Sequence, residues 1–171
     1  MAADLGDQAA AALYAGFVAS MLVALESLGP LSDIELHTDE ITEAWSGAHV
    51  PRKLQIEGDL GARMLHALET ALAEGRPRAC IVGSDAPTLP ASHLEALLAS
   101  SADIALGPCE DGGYYAISCR RVHPAMFHGV RWSTPSALDD TEHAARACGL
   151  TVERGSLWWD VDEPVDLARL L

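Results

Sequence analysis

The sequence is poor in basic residues. Lys and Arg together number 11 against 25 Asp and Glu, so the formal net charge of the 171-residue chain is −14. A surface this acidic repels phosphate backbones and anionic lipids, which argues against nucleic acid or a membrane surface as a partner. A nucleotide would also be repelled unless local amides or a cation reversed the field, so a carboxylate site in this chain implies a divalent metal.

Cysteine is scarce and shows no metal-binding pattern. Cys80, Cys109, Cys119 and Cys148 are widely spaced, and they form no Cys-x-x-Cys pair and have no His at zinc spacing. This excludes a recognisable zinc ligand set. Reduced, mostly buried thiols in a cytoplasmic protein are favoured over a disulfide framework.

The chain also has no internal repeat, low-complexity run or interdomain linker. With 171 residues and 49% hydrophobic content it can form one ordinary core, which predicts a single domain over residues 1–171. The stretch from Gln8 to Leu25 carries no charge and is long enough to be considered as a membrane span. Because Asp4 and Asp7 precede it where a signal peptide would be basic, a helix packed on a sheet is favoured over a span.

Apolar runs and turn residues predict alternating strands and helices. The predicted strands cover residues 34–38, 50–56, 79–82, 104–106, 114–119 and 151–159, and the predicted helices cover 8–25, 92–100 and 134–148 and begin near 58 and 164. The strand at 114–119 follows its predecessor so closely that we expect it to be antiparallel or in a separate ribbon. The pattern predicts a three-layer α/β fold with a mostly parallel, mixed sheet flanked by helices.

The first candidate site lies where the strand at 79–82 runs into Gly83-Ser84-Asp85-Ala86-Pro87. Open α/β sheets bind ligands at the carboxyl ends of their strands, which is where Asp85 stands. A helix-capping or surface acid is the alternative for Asp85. Ser92, with Glu95 three residues later, is the predicted N-cap of the next helix.

The second candidate site is the run of alternating acids from Asp160 to Glu163. Alternation in an extended chain places Asp160 and Asp162 on one side, so both can face one cation. Mg²⁺ takes oxygen ligands and needs only one or two carboxylates beside substrate phosphates. The alternative is that Asp162 or Glu163 caps the helix that begins at Pro164.

Two further segments combine glycine with charge. In Asp111-Gly112-Gly113 the glycines let the backbone approach a ligand and can present N–H groups to it, although an ordinary hairpin turn has the same pattern. In the segment from Gly58 to Arg63 the arginine lies in the first turn of a helix, where the dipole disfavours a cation. Its anionic partner is therefore either a phosphate or Asp59.

Taken together, five motifs in this order resemble a bacterial family of GT-A-like glycosyltransferases that includes proteins of arsenosugar biosynthesis, within the nucleotide-diphospho-sugar transferase superfamily. The motifs are Gln55 with Gly58-Asp59-Leu60-Gly61 and Arg63-Met64; Gly83-Ser84-Asp85-Ala86-Pro87-Thr88-Leu89-Pro90; Gly107-Pro108 with Glu110-Asp111-Gly112-Gly113-Tyr114-Tyr115; Phe127 with Trp132-Ser133-Thr134; and Asp160-Val161-Asp162 with Pro164 and Asp166-Leu167.

The resemblance implies a GT-A fold, a Mg²⁺ or Mn²⁺ ion, a nucleotide-sugar donor and a small-molecule acceptor. Asp85 would be the metal-binding acid, with Asp160 or Asp162 as the second. The residues near the nucleotide would be Gly58, Arg63, Gly83 and Ser84. Those on the sugar or acceptor side would be Asp111, Gly112, Gly113, Tyr114 and Trp132, and Asp111 would orient or deprotonate the acceptor hydroxyl.

The chain departs from the family at its beginning. Members usually open with a strand and a Lys-, Pro- and Gly-containing phosphate loop, whereas this chain resembles them from Leu5-Gly6 onward and has no such loop before residue 29. The resemblance thus implies a domain without its first, central strand, with exposed apolar edges and weakened nucleotide affinity. Three functions follow as expectations: a metal-dependent glycosyltransferase, a nucleotidyltransferase that makes a cofactor precursor, or an inactive domain that forms a homo-oligomer or holds a ligand.

Overall fold

The computed structural model describes residues 6–29, 33–40, 45 and 49–170. Strands and helices alternate along the chain as predicted. In order they are α1 (Asp7–Glu26), β1 (Leu36–Thr38), β2 (Arg52–Leu54), α2 (Leu60–Ala73), β3 (Ala79–Val82), α3 (Ala91–Ala99), β4 (Ile104–Pro108), β5 (Tyr114–Cys119), α4 (Ala137–Ala147), β6 (Val152–Arg154) and a closing 3₁₀ helix (Pro164–Leu170).

The strands form two sheets. β1 and β2 pair in parallel, and the other four strands lie in the order β3-β5-β4-β6. β5 is antiparallel to both β3 and β4, whereas β6 is parallel to β4, so three of these four strands run in one direction. The predicted α/β fold with a mixed sheet is therefore confirmed, and the expectation of an antiparallel strand at 114–119 is confirmed with it.

The break between the two sheets falls between β1 and β3, which share no ladder among the described residues. β3 is as apolar in sequence as β4, yet its residues from Cys80 to Val82 are only half-buried, whereas all of β4 is buried. This difference follows from position, because β3 is an edge strand and β4 lies between two neighbours.

Two clusters of buried side chains define the layers. Ile104 and Leu106 of β4 pack with residues of α2 and α4, while the intervening Ala105 packs with residues of α1 and α3. This is the alternation expected of a strand with helices on both faces. The predicted three-layer arrangement follows from it.

The helix α1 is apolar all round and packs along one face. Its buried residues are Phe17, Val18, Met21 and Leu22. By length and composition alone α1 is apolar enough to cross a membrane, and 22% of its apolar window is buried. Met21 joins the cluster that covers the sheet, so the helix packs against the sheet as the sequence predicted.

The predicted cap of α3 is wrong. The helix begins at Ala91, with Pro90 at the N-cap position and no side-chain capping bond, so Ser92 lies inside the first turn. The cause is the preceding turn: the Leu89 N–H donates to the Ala86 carbonyl at 2.9 Å, and the ring of Pro90 holds φ at −65°. These constraints begin the helix before the serine.

Candidate metal centre

Asp85 lies in the loop that follows β3, at the carboxyl end of that strand. The Gly83 N–H donates to the Tyr115 carbonyl at 2.8 Å, which holds the start of the loop against β5. A Cβ at Gly83 would lie 2.6 Å from Asp85 Oδ1, so this loop needs glycine to let the carboxylate fold back over it.

The segment with the alternating acids is held beside this loop by backbone bonds. The Trp158 N–H donates to the Pro108 carbonyl and the Glu110 N–H donates to the Trp158 carbonyl, both at 3.0 Å. Further along, the Val161 N–H donates to the Asp85 carbonyl at 2.8 Å. The strand β4, the Asp85 loop and the acidic segment therefore meet at one edge of the sheet.

Three carboxylates converge there. Oxygens of Asp85, Asp160 and Asp162 lie within 4.8 Å of one another. Asp160 and Asp162 thus face the same side. Three oxygen donors at this separation suit a hard divalent cation such as Mg²⁺ or Mn²⁺, so the residues fit the metal that the sequence implied.

The pKa values of all three acids are raised. Burial raises the pKa of Asp85, and the charge of Asp111 adds to the rise. Burial raises the pKa of Asp160 to about 6, with further contributions from the charges of Asp111, Asp162 and Asp85. Burial raises the pKa of Asp162 as well, with further contributions from the charges of Asp85, Asp111, Asp166 and Glu163. Crowded carboxylates without a counter-ion favour protonation, and a bound cation would reverse that preference.

Cys109 and Asp111 extend this acidic group. Donor atoms of Cys109, Asp111 and Asp160 also lie within 4.8 Å of one another. The side chain of Cys109 is 3% exposed, and burial raises the pKa of its thiol well above the ordinary range. Cys109 is therefore a neutral thiol, and its proximity offsets part of the rise in the pKa of Asp160. Asp111 is exposed at the rim.

The Asp111-Gly112-Gly113 segment is the turn between β4 and β5, as the hairpin alternative predicted. Its N–H groups are used within the turn: that of Gly112 donates to the Cys109 carbonyl at 3.2 Å, and that of Gly113 donates to Asp111 Oδ1 at 2.8 Å. Both N–H groups therefore have partners within the turn, as in an ordinary hairpin. The glycines are needed for fit, since φ at Gly112 is 90° and a Cβ there would lie 2.2 Å from the Pro135 carbonyl oxygen.

Tyr114 and Trp132 lie together on the α2 side of the sheet. Their ring centroids are 6.5 Å apart, and Trp132 also packs on Phe127 at 5.7 Å. Burial raises the pKa of Tyr114. Both rings pack against the buried cluster that α2 and α4 cover, so they support the turn at Asp111 from behind.

Gly58 and Arg63 lie at the N-terminal end of α2. The Arg63 Nε donates to the Gly58 carbonyl and its Nη1 donates to Gln55 Oε1, both at 3.1 Å. Asp59, one of the two predicted partners of Arg63, instead caps α2 by accepting from the Ala62 N–H at 2.8 Å. Arg63 lines a cavity of about 50 Å³ between β2 and α2, which none of the three acids lines.

The cap of the closing 3₁₀ helix is Asp166 rather than Asp162 or Glu163. Their N–H groups both donate to Asp166 Oδ2, at 3.2 and 2.9 Å. Asp166 therefore caps the 3₁₀ helix from within, which leaves the Asp162 carboxylate for the acidic group. Beside it, Arg169 bonds both oxygens of Glu110, at 2.8 and 3.1 Å, and lies 4.3 Å from the ring centroid of Trp159.

Sequence reasoning assigned no role to four residues of this region. Cys109 follows a glycine-proline pair and gave no separate signal, and Asp166 and Arg169 act through contacts with residues of other loops. The fourth is Tyr14 of α1, whose hydroxyl lies 2.7 Å from Ser84 Oγ. No local signal in the sequence indicated it.

Comparison with known proteins places this geometry in a family. The profile of a bacterial protein family, described as "Uncharacterized protein conserved in bacteria (DUF2064)", matches residues 31–134. The chain belongs to this family. The matched span of the DUF2064 family includes Asp85 and Asp111, whereas Asp160 and Asp162 lie beyond it.

Solved structures agree on the fold of this DUF2064 protein. The crystal structure of a putative nucleotide-diphospho-sugar transferase from Desulfovibrio desulfuricans G20 superposes with a TM-score of 0.88 and 32% identity, over 99% of this chain and 77% of that one. A CMP:2-keto-3-deoxy-manno-octonic acid synthetase solved with CTP superposes with a TM-score of 0.57 over 90% and 85% of the two chains, at 10% identity. The chain therefore has the nucleotide-diphospho-sugar transferase fold.

A curated relative supports the same superfamily. Over 110 residues, which are 61% of this chain and 49% of the relative, the DUF2064 protein is 32% identical to a 2-phospho-L-lactate guanylyltransferase from Haloarcula marismortui. The chain thus spans about half the length of this relative.

Proposed function

We propose that this protein is a metal-dependent glycosyltransferase that uses a nucleotide-sugar donor. The observation that carries the proposal is the convergence of Asp85, Asp160 and Asp162 within 4.8 Å at the carboxyl end of the sheet. A divalent cation bound there would neutralise the charge that develops on a departing diphosphate. The strong likeness to a nucleotide-diphospho-sugar transferase structure supports this class of donor.

The chain's own residues supply the remaining roles. Asp111 accepts the Gly113 N–H through Oδ1 only, which leaves Oδ2 to orient or deprotonate an acceptor hydroxyl. Gly83 and Ser84 lie in the Asp85 loop and would contact the diphosphate side of the donor. Arg63, with Gly58 as its backbone partner, would reach the nucleotide from the cavity beside α2.

The sugar and acceptor side of the proposal rests on the turn after β4. Gly112 and Gly113 hold Asp111 at the rim through the bonds within the turn. Tyr114 and Trp132 would shape this side by supporting the turn. The four free cysteines fit a reducing compartment, so we propose the cytoplasm, with one domain over residues 1–171 and association of copies into a homo-oligomer.

A second candidate function is favoured by one observation. The guanylyltransferase relative joins a nucleotide to a phosphorylated acid, as its name states, and a nucleotidyltransferase would use the same convergent acids to hold a nucleoside triphosphate with its metal. The two functions differ in which nucleotide binds productively.

Isothermal titration calorimetry with Mn²⁺ separates these functions. We expect nucleoside diphosphate sugars to bind this protein more tightly than the corresponding triphosphates, and we expect EDTA to abolish both signals. Asp85→Asn should lose the metal-dependent signal without unfolding. Glu69→Gln, an exposed acid of α2, is the matched control that removes one charge away from the site.

Three outcomes would change the assignment. Tighter binding of triphosphates would favour the nucleotidyltransferase. Binding of neither nucleotide class, with Mn²⁺ still bound, would favour the inactive, ligand-holding domain. Binding that survives both EDTA and Asp85→Asn would contradict the metal-dependent proposal.

A further inference from the structure

An exposed tyrosine stands beside the loop that carries Asp85. Tyr14 projects from α1, and its hydroxyl lies 2.7 Å from the hydroxyl of Ser84, which directly precedes Asp85 in the chain. The hydrogen bond fixes the far end of the side chain, yet Tyr14 remains 50% exposed. An aromatic ring held by its polar end and open on its apolar surface is suited to contact a planar ligand.

The ring of Trp45 lies beside the ring of Tyr14, and the two rings form a corner. The centroids of Tyr14 and Trp45 are 6.4 Å apart, and their planes meet at 70°. Trp45 is anchored as well, because its Nε1 donates to the Ala15 carbonyl of α1 at 3.2 Å. Both rings are thus held by hydrogen bonds made through their polar atoms, and half of the Tyr14 surface stays exposed while Trp45 is part-buried.

The backbone at Trp45 is unusual for a bulky residue. Its φ is 57°, in the left-handed region that non-glycine residues seldom adopt. Residues held in this region concentrate at ligand clamps and active sites, where the surroundings maintain them. Here the surroundings are the bond to Ala15 and the contact with Tyr14.

The position of the corner formed by Tyr14 and Trp45 indicates which part of a nucleotide it would contact. Asp85, Asp160 and Asp162 form the anionic group that a cation and its diphosphate would occupy. The Tyr14 corner lies on the α1 side of Ser84, in a helix with no charge from Gln8 to Leu25. In a chain of net charge −14, an uncharged aromatic surface next to the metal site suits the uncharged part of a nucleotide.

We propose that Tyr14 and Trp45 form a stacking subsite for the nucleobase of the nucleoside diphosphate whose phosphates reach the Asp85 centre. The inference rests on the proposed nucleotide-sugar function and adds the two residues that hold the base. Stacking tolerates any base, because each base has a π-face. Ser84 Oγ, bonded to Tyr14, links the base side of the subsite to the metal side.

The test compares a ligand that has a base with one that lacks it. Isothermal titration calorimetry measures the Kd of UDP or GDP, and of inorganic pyrophosphate, each with Mn²⁺. We expect Tyr14→Leu and Trp45→Leu each to weaken nucleoside diphosphate binding about tenfold and to leave pyrophosphate binding unchanged. Tyr14→Phe keeps the ring and should retain most of the affinity for the nucleoside diphosphate.

The matched control is Val23→Ala, which removes exposed apolar surface farther along α1. Circular dichroism and the melting temperature establish that each variant is folded. Should Trp45→Leu fail to fold, the comparison of Tyr14→Leu with Tyr14→Phe still decides the role of the ring.

The subsite is overturned if Tyr14→Leu and Trp45→Leu leave nucleoside diphosphate binding unchanged, or if they weaken pyrophosphate binding equally. It is also overturned, with the metal centre intact, if the unaltered protein binds both ligands with the same Kd. Failure of the proposed function has a different signature: Mn²⁺ with pyrophosphate would not bind at all, or its binding would survive Asp85→Asn.

Discussion

The most informative perturbation of the acidic group is Asp160→Asn in the metal-free protein. The pKa of Asp160 is raised from 3.8 to about 6 by burial and by the charges of its neighbours. About two pKa units correspond to about 3 kcal/mol of unfavourable charge at neutral pH. Partial access to solvent screens this cost, so we expect Asp160→Asn to raise the free energy of unfolding by about 1 to 2 kcal/mol.

The difference in stability between Asp160→Asn and the unaltered protein depends on pH. Because the folded-state pKa of Asp160 lies above its unfolded value, the folded state is favoured below the ordinary value of 3.8, and this advantage is lost as the pH rises through about 6. The difference in stability between Asp160→Asn and the unaltered protein should therefore be near zero below pH 4 and complete above pH 7.

Differential scanning calorimetry across this pH range measures the effect. At pH 7 without metal, Asp160→Asn should melt about 3 to 6 °C higher, as expected for a domain of this size. With excess Mn²⁺ the order should reverse, because a metal at 100 times its Kd stabilises the unaltered protein by about 2.7 kcal/mol and the variant has lost a ligand. Glu69→Gln should show neither change.

The reasoning is refuted if Asp160→Asn lowers the free energy of unfolding of the metal-free protein by the same amount at pH 7 and at pH 4. That result would mean that Asp160 acts as an ordinary structural acid. A metal response equal in both proteins would refute its role as a ligand.

Three further predictions concern the packing of the chain. Gly112→Ala should lower the free energy of unfolding by about 3 kcal/mol in urea titrations, because the added Cβ meets the Pro135 carbonyl, whereas Gly149→Ala has space and should cost about 1 kcal/mol through its positive φ alone. Arg78→Met should cost about 2 kcal/mol in the same assay, because it removes a guanidinium that binds three backbone carbonyls. Cys109, which is 3% exposed, should react with a thiol reagent far more slowly in the native protein than in guanidinium.

Local patterns in the sequence were sufficient to predict the order of the elements and the meeting of the acids. β3, β4 and β5 are apolar runs bounded by glycine, proline or charged residues, and buried strands of this kind need no distant information to be recognised. Asp85 follows the run of β3, and Asp160 follows β6, which is shorter than the predicted strand over 151–159 and ends five residues before the predicted end. Because strands that run in one direction end at one edge of a sheet, their convergence could be anticipated.

What the sequence could not predict depends on contacts between distant segments. The hydrogen bond from Tyr14 to Ser84 joins residues 70 positions apart, and nothing local to either residue indicates it. Asp166 accepts the N–H groups of Asp162 and Glu163 and caps the closing helix, although their positions in the sequence suggest that one of these two residues is the cap. The division into two sheets likewise depends on which strand edges meet, which hydrophobic periodicity does not encode.

The glycines of the turn after β4 illustrate a related limit. A glycine pair beside an acid is compatible both with ligand contact and with a tight turn. The choice depends on whether each N–H has a partner nearby, and here the Cys109 carbonyl and the Asp111 carboxylate supply both partners.

The measurement that tests the central claim most directly is the titration of Mn²⁺ followed by the electron paramagnetic resonance signal of the free ion. We expect the unaltered protein to bind Mn²⁺ and Asp85→Asn to bind it at least about tenfold more weakly, since loss of even an outer-shell partner costs that much. Glu69→Gln should bind as the unaltered protein does. Equal affinity in all three proteins would contradict the assignment of the converging aspartates as a metal centre.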